Sequence, residues 1–285
     1  MNRVTSVMIA GCGDVGGRLA VRLRDAAWQV YGLRRTVSQL PSGILPVAAD
    51  LHEPGCPDQW PHGELDYLVY SAAATQHDEP GYRQAYVDGL RHVLSWLQSR
   101  GQRPKRLLFV SSSGVYAQAD GEWIDETSPA DAQRFSGQVI REAEQLAWNS
   151  GVPATVVRLT GIYGPGREWL LKQVRMGYRV SVDPPLYGNR IHADDAAGLL
   201  AFLLQADSAG QPLQDCYIGV DDEPAPLHEV VGWLRQRLGI EHWAEESAVR
   251  RSGSKRCSNA RARALGWTPQ YPSYREGYAA VLRER

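Results

Sequence analysis

Along this chain apolar residues gather into short runs, which alternate with stretches where they recur every third or fourth position. Residues 4–10 form such a run and end in glycines; residues 14–27 then carry Val15, Leu19 and Leu23 at helical spacing. The order predicted is strand, glycine turn, helix. Compact apolar runs at 28–33, 45–49 and 67–70, each bounded by polar, Gly or Pro residues, predict further buried strands. Residues 82–97 place Tyr86, Leu90, Val93, Leu94 and Leu97 on one helical face, and a strand at 106–110 leads into Ser111-Ser112-Ser113. A helix over 131–148 follows, with Phe135, Val139, Ala143 and Leu146 on one side, and then a strand at 153–159. Strands separated by helical segments imply a parallel sheet.

Beyond residue 160 the pattern gives way to Gly/Pro punctuation at Gly161, Gly164-Pro165-Gly166 and Asp183-Pro184-Pro185. A helix over 194–205, a late strand at 216–220 that rejoins the sheet, and helices with one exposed face at 227–238 and 273–282 complete the pattern. The expected fold class is α/β, a Rossmann-type doubly wound parallel sheet with a smaller C-terminal substrate lobe. Residues 1–160, rejoined by about 190–220, are expected to form the dinucleotide-binding domain, and 161–189 with 221–285 the lobe.

With 285 residues the chain can bury one large core or two ordinary ones. Its 31 Lys and Arg against 32 Asp and Glu leave a net charge of −1, which excludes the electrostatic footprint of a general nucleic-acid binder. Cys12, Cys56, Cys216 and Cys257 lack the paired spacing of a zinc site, so they read as reduced packing residues and no metal is expected. No apolar run is long enough to span a bilayer and the first strand begins too early for a leader, so a cytoplasmic protein without membrane partners is expected. The expected partner is a small molecule, and a homodimer is compatible with the pattern.

Gly11, Gly13 and Gly16 fall directly after the first strand and at the start of the first helix. There the backbone can approach a pyrophosphate at a helix N-terminus: the first glycine permits the turn, the second the approach, the third close helix packing. Asp14 and Val15 complete this candidate cradle. A site that selects NAD(H) places an acidic residue at the end of the second strand for the ribose 2′-OH. This chain has Arg34 and Arg35 there, and a guanidinium suits a 2′-phosphate, so NADP(H) is expected ahead of NAD(H). Asp50 and Leu51, after the third strand, are placed to meet the adenine, and Ser71, Ala72 and Ala73, after the fourth, to run beside the phosphates.

These motifs, with Val110-Ser111-Ser112-Ser113-Gly114-Val115-Tyr116, Arg158-Leu159-Thr160-Gly161-Ile162-Tyr163-Gly164-Pro165-Gly166, Asn189-Arg190-Ile191-His192-Ala193-Asp194-Asp195 and Leu265-Gly266-Trp267-Thr268-Pro269, cover nearly the whole chain. In that order they resemble the extended short-chain dehydrogenase/reductase superfamily, of the sugar-nucleotide epimerase and dehydratase type. The resemblance implies that Ser112, four residues before Tyr116, polarises a substrate oxygen, and that Ser111 and Tyr163 lie beside the cofactor. It also implies a Tyr-x-x-x-Lys pair on the next helix, which this chain lacks: its only lysines are Lys105, Lys172 and Lys255, and none has a tyrosine four residues before it. With Glu144 as the anchor, the pair's positions fall at about Ser136 and Ile140. In this the chain is similar to atypical members of the superfamily, the bacterial YeeZ-like group among them.

Tyr116 reads either as a secondary acid or as an aromatic wall of the nicotinamide pocket, and an unassisted tyrosine, with a pKa near ~10, is a poor base at neutral pH. His192 reads either as a proton carrier or as part of a structural return that Asp194 and Asp195 cap. Two functions stay open at this point. One is an oxidoreductase or epimerase-like enzyme on an unidentified small molecule, for which the resemblance alone implies a sugar nucleotide; the other is a protein that binds NADP(H) without turnover and reports its redox state.

Overall fold

The computed structural model describes residues 3–245 and 253–283. At its centre β1 (Ser6–Ala10) is buried at all five positions, since strands lie on both of its edges and helices cover the sheet. α1 (Asp14–Asp25) follows the glycine turn, then β2 (Gln29–Arg34) and β3 (Leu45–Ala48), both pairing in parallel. β3 is an edge strand with only Val47 buried, so its run of apolar residues overstated its burial. The chain then returns to the other side of β1 as β4 (Tyr67–Tyr70). That reversal makes the crevice beyond the carboxyl ends of β1 and β4, where open α/β sheets bind ligands.

The helix expected over 82–97 is interrupted. α2 (Glu79–Arg83) and α3 (Gly89–Ser99) are joined by one wide turn, Gln84–Asp88. The cause is Tyr70, whose buried hydroxyl donates to the carbonyl of Ala85 at 2.5 Å and draws it from its ordinary helical partner. Gly89 leaves room for that hydroxyl, which a Cβ there would strike.

β5 (Arg106–Ser112) pairs in parallel with β4. A short strand β6 (Trp123–Ile124), α4 (Phe135–Trp148) and β7 (Ala154–Leu159) follow. Next come β8 (Gly161–Tyr163), α5 (Trp169–Arg175), β9 (Arg190–His192), α6 (Ala193–Ser208) and β10 (Cys216–Gly219). α7 (Leu227–Leu238), β11 (Arg256–Cys257), α8 (Ala260–Leu265) and α9 (Tyr274–Arg283) complete the described chain. The main sheet runs β10-β7-β5-β4-β1-β2-β3, the doubly wound order.

Two compact units result. The first comprises residues 1–115, 130–158 and 197–217, with a core that includes Met8, Leu33, Leu68, Trp96, Phe109 and Val156. The second comprises 116–129, 159–196 and 218–285, with a core built from α5, α7 and α9 around Leu171, Leu227, Leu234 and Tyr278. Residues 116–129, expected with the first domain, cluster with the second because β6 pairs in parallel with β11 and the Tyr116 hydroxyl bonds within the segment. α9, expected to have one exposed face, also buries Tyr274, Gly277, Tyr278, Ala280 and Val281. Among the described residues no helix is long and apolar enough to cross a membrane.

Candidate functional site

In the first unit the glycine turn is fixed from below. Gly11 adopts φ +86°, and a Cβ there would run into the backbone of Ser71 and Ala72; one on Gly16 would meet the Gly11 carbonyl at 2.8 Å. Ser71 completes this floor, its N–H bonding to Ala10 O at 2.8 Å and its hydroxyl donating to Gly11 O at 3.2 Å. Gly13 is different: a Cβ on it would meet nothing within 4 Å. It begins α1 with no side-chain cap, leaving first-turn N–H groups at an exposed helix end. The Asp14 carboxylate turns to Arg18 at 2.9 Å, and Val15 packs inward. This is the cradle a pyrophosphate requires, so the residues present fit a dinucleotide.

Arg34, at the end of β2, reaches back over the turn: Nη1 lies 3.4 Å from Cys12 O and 3.3 Å from Gln39 O, and Nη2 bonds the Gln39 side chain. Arg35 is exposed, with Asp50 3.9 Å away. Asp50 Oδ1 accepts the His52 N–H at 3.1 Å, and half-buried Leu51 packs on the first core, its carbonyl bonded to His92. Ala72 is part-buried and Ala73 exposed. The structure thus brings Gly11 to Gly16, Arg34, Arg35, Asp50, Leu51 and Ser71 to Ala73 together at one edge of the sheet.

Where β5 ends, Ser111 and Ser112 face opposite sides of the strand. Ser111 points inward and donates to Glu144 at 2.6 Å. Glu144 is 0% exposed; it takes both arms of Arg158 at 2.8 and 2.7 Å and Arg141 at 2.7 Å. The Ser111 hydroxyl is therefore committed to the core. Its anchorage turns Ser112 to the other face, where Oγ accepts the Gly114 N–H at 3.1 Å and its own proton has no acceptor among the described residues. Ile140, where the resemblance places a lysine, is an apolar residue only 4% exposed, so neither it nor Ser136 supplies the missing cation.

The remaining two candidates belong to the second unit. Tyr116 is 3% exposed and its hydroxyl donates to Asp125 O at 2.9 Å, which occupies the proton an acid would supply. Tyr163 is a core residue: its ring lies 4.4 Å from that of Tyr278, its hydroxyl rests over Gly277, and burial pushes the phenol's pKa up. Beside it Asp221, 2% exposed, is pushed up to about 8 by burial, against the pull of Arg190.

The residues 7–219 match the sequence profile of the NAD-dependent epimerase/dehydratase family. The chain belongs to that family. It is 27% identical over 282 residues to Protein YeeZ of Escherichia coli K12, covering 93% of this chain and 96% of that one. It is 26% identical over 306 residues to the 3-diazoavenalumate denitrifying reductase of a Streptomyces species, covering 95% and 98%. Among solved structures, a Methylobacillus flagellatus protein assigned to the NAD-dependent epimerases/dehydratases superposes with a TM-score of 0.80 at 36% identity, over 99% of both chains. The family carries the nicotinamide cofactor and the extended short-chain dehydrogenase/reductase fold expected from the motifs.

Three features escaped the sequence pattern. Glu144 served only as an anchor for counting, although an acid on the buried face of a helix signals a partnered carboxylate. Asp221 and Lys255 lie in polar stretches, and nothing in their spacing marks them as buried.

Proposed function

We propose that this protein is an NADP(H)-dependent reductase of a small molecule, working without the Tyr-x-x-x-Lys pair. The observation that carries the cofactor choice is the arginine pair at the end of β2. Both side chains reach the edge where an NAD(H)-selective site keeps an acid, and two guanidiniums favour a 2′-phosphate. The Gly11–Gly16 turn would hold the pyrophosphate, with Asp50 and Leu51 toward the adenine and Ser71 to Ala73 alongside. Nicotinamide, when bound, supplies the hydride.

Ser112 supports reduction over oxidation or epimerisation. Its hydroxyl accepts from Gly114 and keeps its proton available, so it can donate a hydrogen bond to an electrophilic substrate. Removing hydride from an alcohol requires a base for the hydroxyl proton, and a serine is a poor one at neutral pH. Delivering hydride requires only a donor and a proton drawn from water. The reductase among the relatives fits this direction. A cytoplasmic homodimer belongs to the same reading, and light scattering reads the oligomeric state.

Titration calorimetry with NADPH and NADH tests the cofactor. NADPH binds more tightly by the worth of a charged hydrogen bond, on the order of 1.5–3 kcal/mol, and Arg34→Asp or Arg35→Ala narrows the gap. Equal affinities unaltered by either change would sink the assignment. NADPH oxidation over a panel of electrophiles, with product analysis, tests turnover, which Ser112→Ala abolishes. Absence of turnover across the panel, with oxidised and reduced cofactor binding unequally, would favour the redox reporter instead.

A further inference from the structure

Where Arg18, Arg24, Arg106, Arg158 and Arg275 each meet a carboxylate, Arg34 bonds only neutral oxygens among the described residues. Its Nη1 lies against the carbonyls of Cys12 and Gln39, and its Nη2 donates to the amide oxygen of Gln39. A guanidinium only donates, so the Gln39 amide must turn its oxygen toward it. One residue thus supplies both a backbone and a side-chain acceptor. The Nε–H and the second Nη2–H keep no acceptor among the described residues.

Gln39 is itself fixed from beneath. It ends a single turn of 3-10 helix, Val37–Gln39, in which its N–H returns to Thr36 O at 3.2 Å and the Leu40 N–H to Val37 O at 3.0 Å. Leu40, Ile44 and Cys12 crowd over Gly32 of β2: a Cβ there would meet Leu40 Cδ2 at 2.8 Å, Ile44 Cγ2 at 2.9 Å and Cys12 Sγ at 3.2 Å. The missing side chain at Gly32 therefore seats this turn against the strand that ends in Arg34. All of these residues lie within the first unit.

We propose that Gln39 is a specificity-determining residue for NADP(H), a positioning residue that presets Arg34 to receive the ribose 2′-phosphate. The inference rests on the reading that the arginines after β2 meet that phosphate. A guanidinium fixed before its ligand arrives loses less freedom on binding, and the two N–H groups left over are what a phosphate accepts. The neutrality of the amide matters as much as its grip. A carboxylate at position 39 would hold Arg34 harder and oppose the charge of the phosphate. Arg35 is the contrasting half: 61% exposed and 3.9 Å from Asp50, it adds positive charge without a fixed direction.

Gln39 is exposed and belongs to neither core, so its variants are expected to fold. Calorimetry on the full-length protein with adenosine 2′,5′-bisphosphate and with 5′-AMP isolates recognition of the 2′-phosphate. Gln39→Met, which keeps the length and removes the amide acceptor, weakens the bisphosphate about two- to tenfold and leaves 5′-AMP unchanged. Gln39→Glu, which keeps an acceptor and adds a charge, loses at least as much. The double variant Gln39→Met with Arg34→Ala binds the bisphosphate no more weakly than Arg34→Ala alone, because Gln39 acts only through Arg34.

Undiminished bisphosphate affinity in Gln39→Met, equal losses for both ligands, or additive losses in the double variant would overturn the proposal. Wild-type bisphosphate affinity in Gln39→Glu would do so too. The arginine variants separate the two readings. A loss in Arg34→Ala with none in Gln39→Met removes the role of Gln39 alone; an unaltered preference for the bisphosphate in both Arg34→Ala and Arg35→Ala removes the cofactor assignment and the role of Gln39 with it.

Discussion

Gly11 and Gly13 answer the same substitution in opposite ways. Gly11→Ala puts a side chain at φ +86° against the Ala72 backbone, and it lowers stability by on the order of 1–3 kcal/mol or more. Gly13→Ala meets no protein atom, so the melting temperature stays near that of the wild type while NADPH affinity falls. Paired thermal melts and NADPH titrations check both; a stable Gly13→Ala variant with full affinity would contradict the cradle. The same contrast shows what a motif carries. Its glycines told where a dinucleotide would approach, but their division of labour depends on contacts with Ser71 and Ala72, which the pattern placed beside the phosphates and not beneath the turn. Tyr163 and Ser111 show the complement: conspicuous in a motif, they spend their hydroxyls or rings on packing.

Between elements, the contact that decides the edge of the sheet is Glu144 of α4 with Ser111 of β5 and Arg158 of β7. Glu144→Ala leaves a buried guanidinium without its anion and costs about 3–5 kcal/mol in urea unfolding, and Glu144→Gln costs less because the amide still accepts. A loss below about 1 kcal/mol in Glu144→Ala would show the network to be dispensable. Ser112→Ala removes no core bond, so its stability is unchanged while turnover goes. The alternation of strands and helices, and with it the doubly wound order, was legible because each buried strand is a compact apolar run. The wide turn between α2 and α3 was not, since its cause is a hydroxyl on another strand, Tyr70. Hydrophobic spacing records which face of a helix is buried, and it holds no trace of a single carbonyl diverted sideways.

For the molecule as a whole, pH reaches stability through Asp221. Its carboxyl rises from 3.8 to about 8 on folding, so its contribution is full below the unfolded value and is lost as pH climbs through about 8. Melting temperature therefore declines across that window, and Asp221→Asn, which cannot ionise, melts progressively higher than the wild type as pH rises. Parallel curves for the two proteins from pH 5 to 9 would refute this. Burial of this acid could not be read from Asp221-Asp222-Glu223, a stretch that looks solvated in sequence.

Each unit is assembled from three separate segments of the chain. A nonsense mutation or a shortened gene thus does not release an intact half: residues 1–217 lack the later part of the second unit, and 159–285 lack its 116–129 segment while carrying β10 orphaned from the main sheet. Both truncations are expected in the insoluble fraction on expression. For the lineage that carries this gene, the cofactor edge and the second unit are inherited as one object, and recombination within the reading frame can exchange neither for a homologue's by a single crossover.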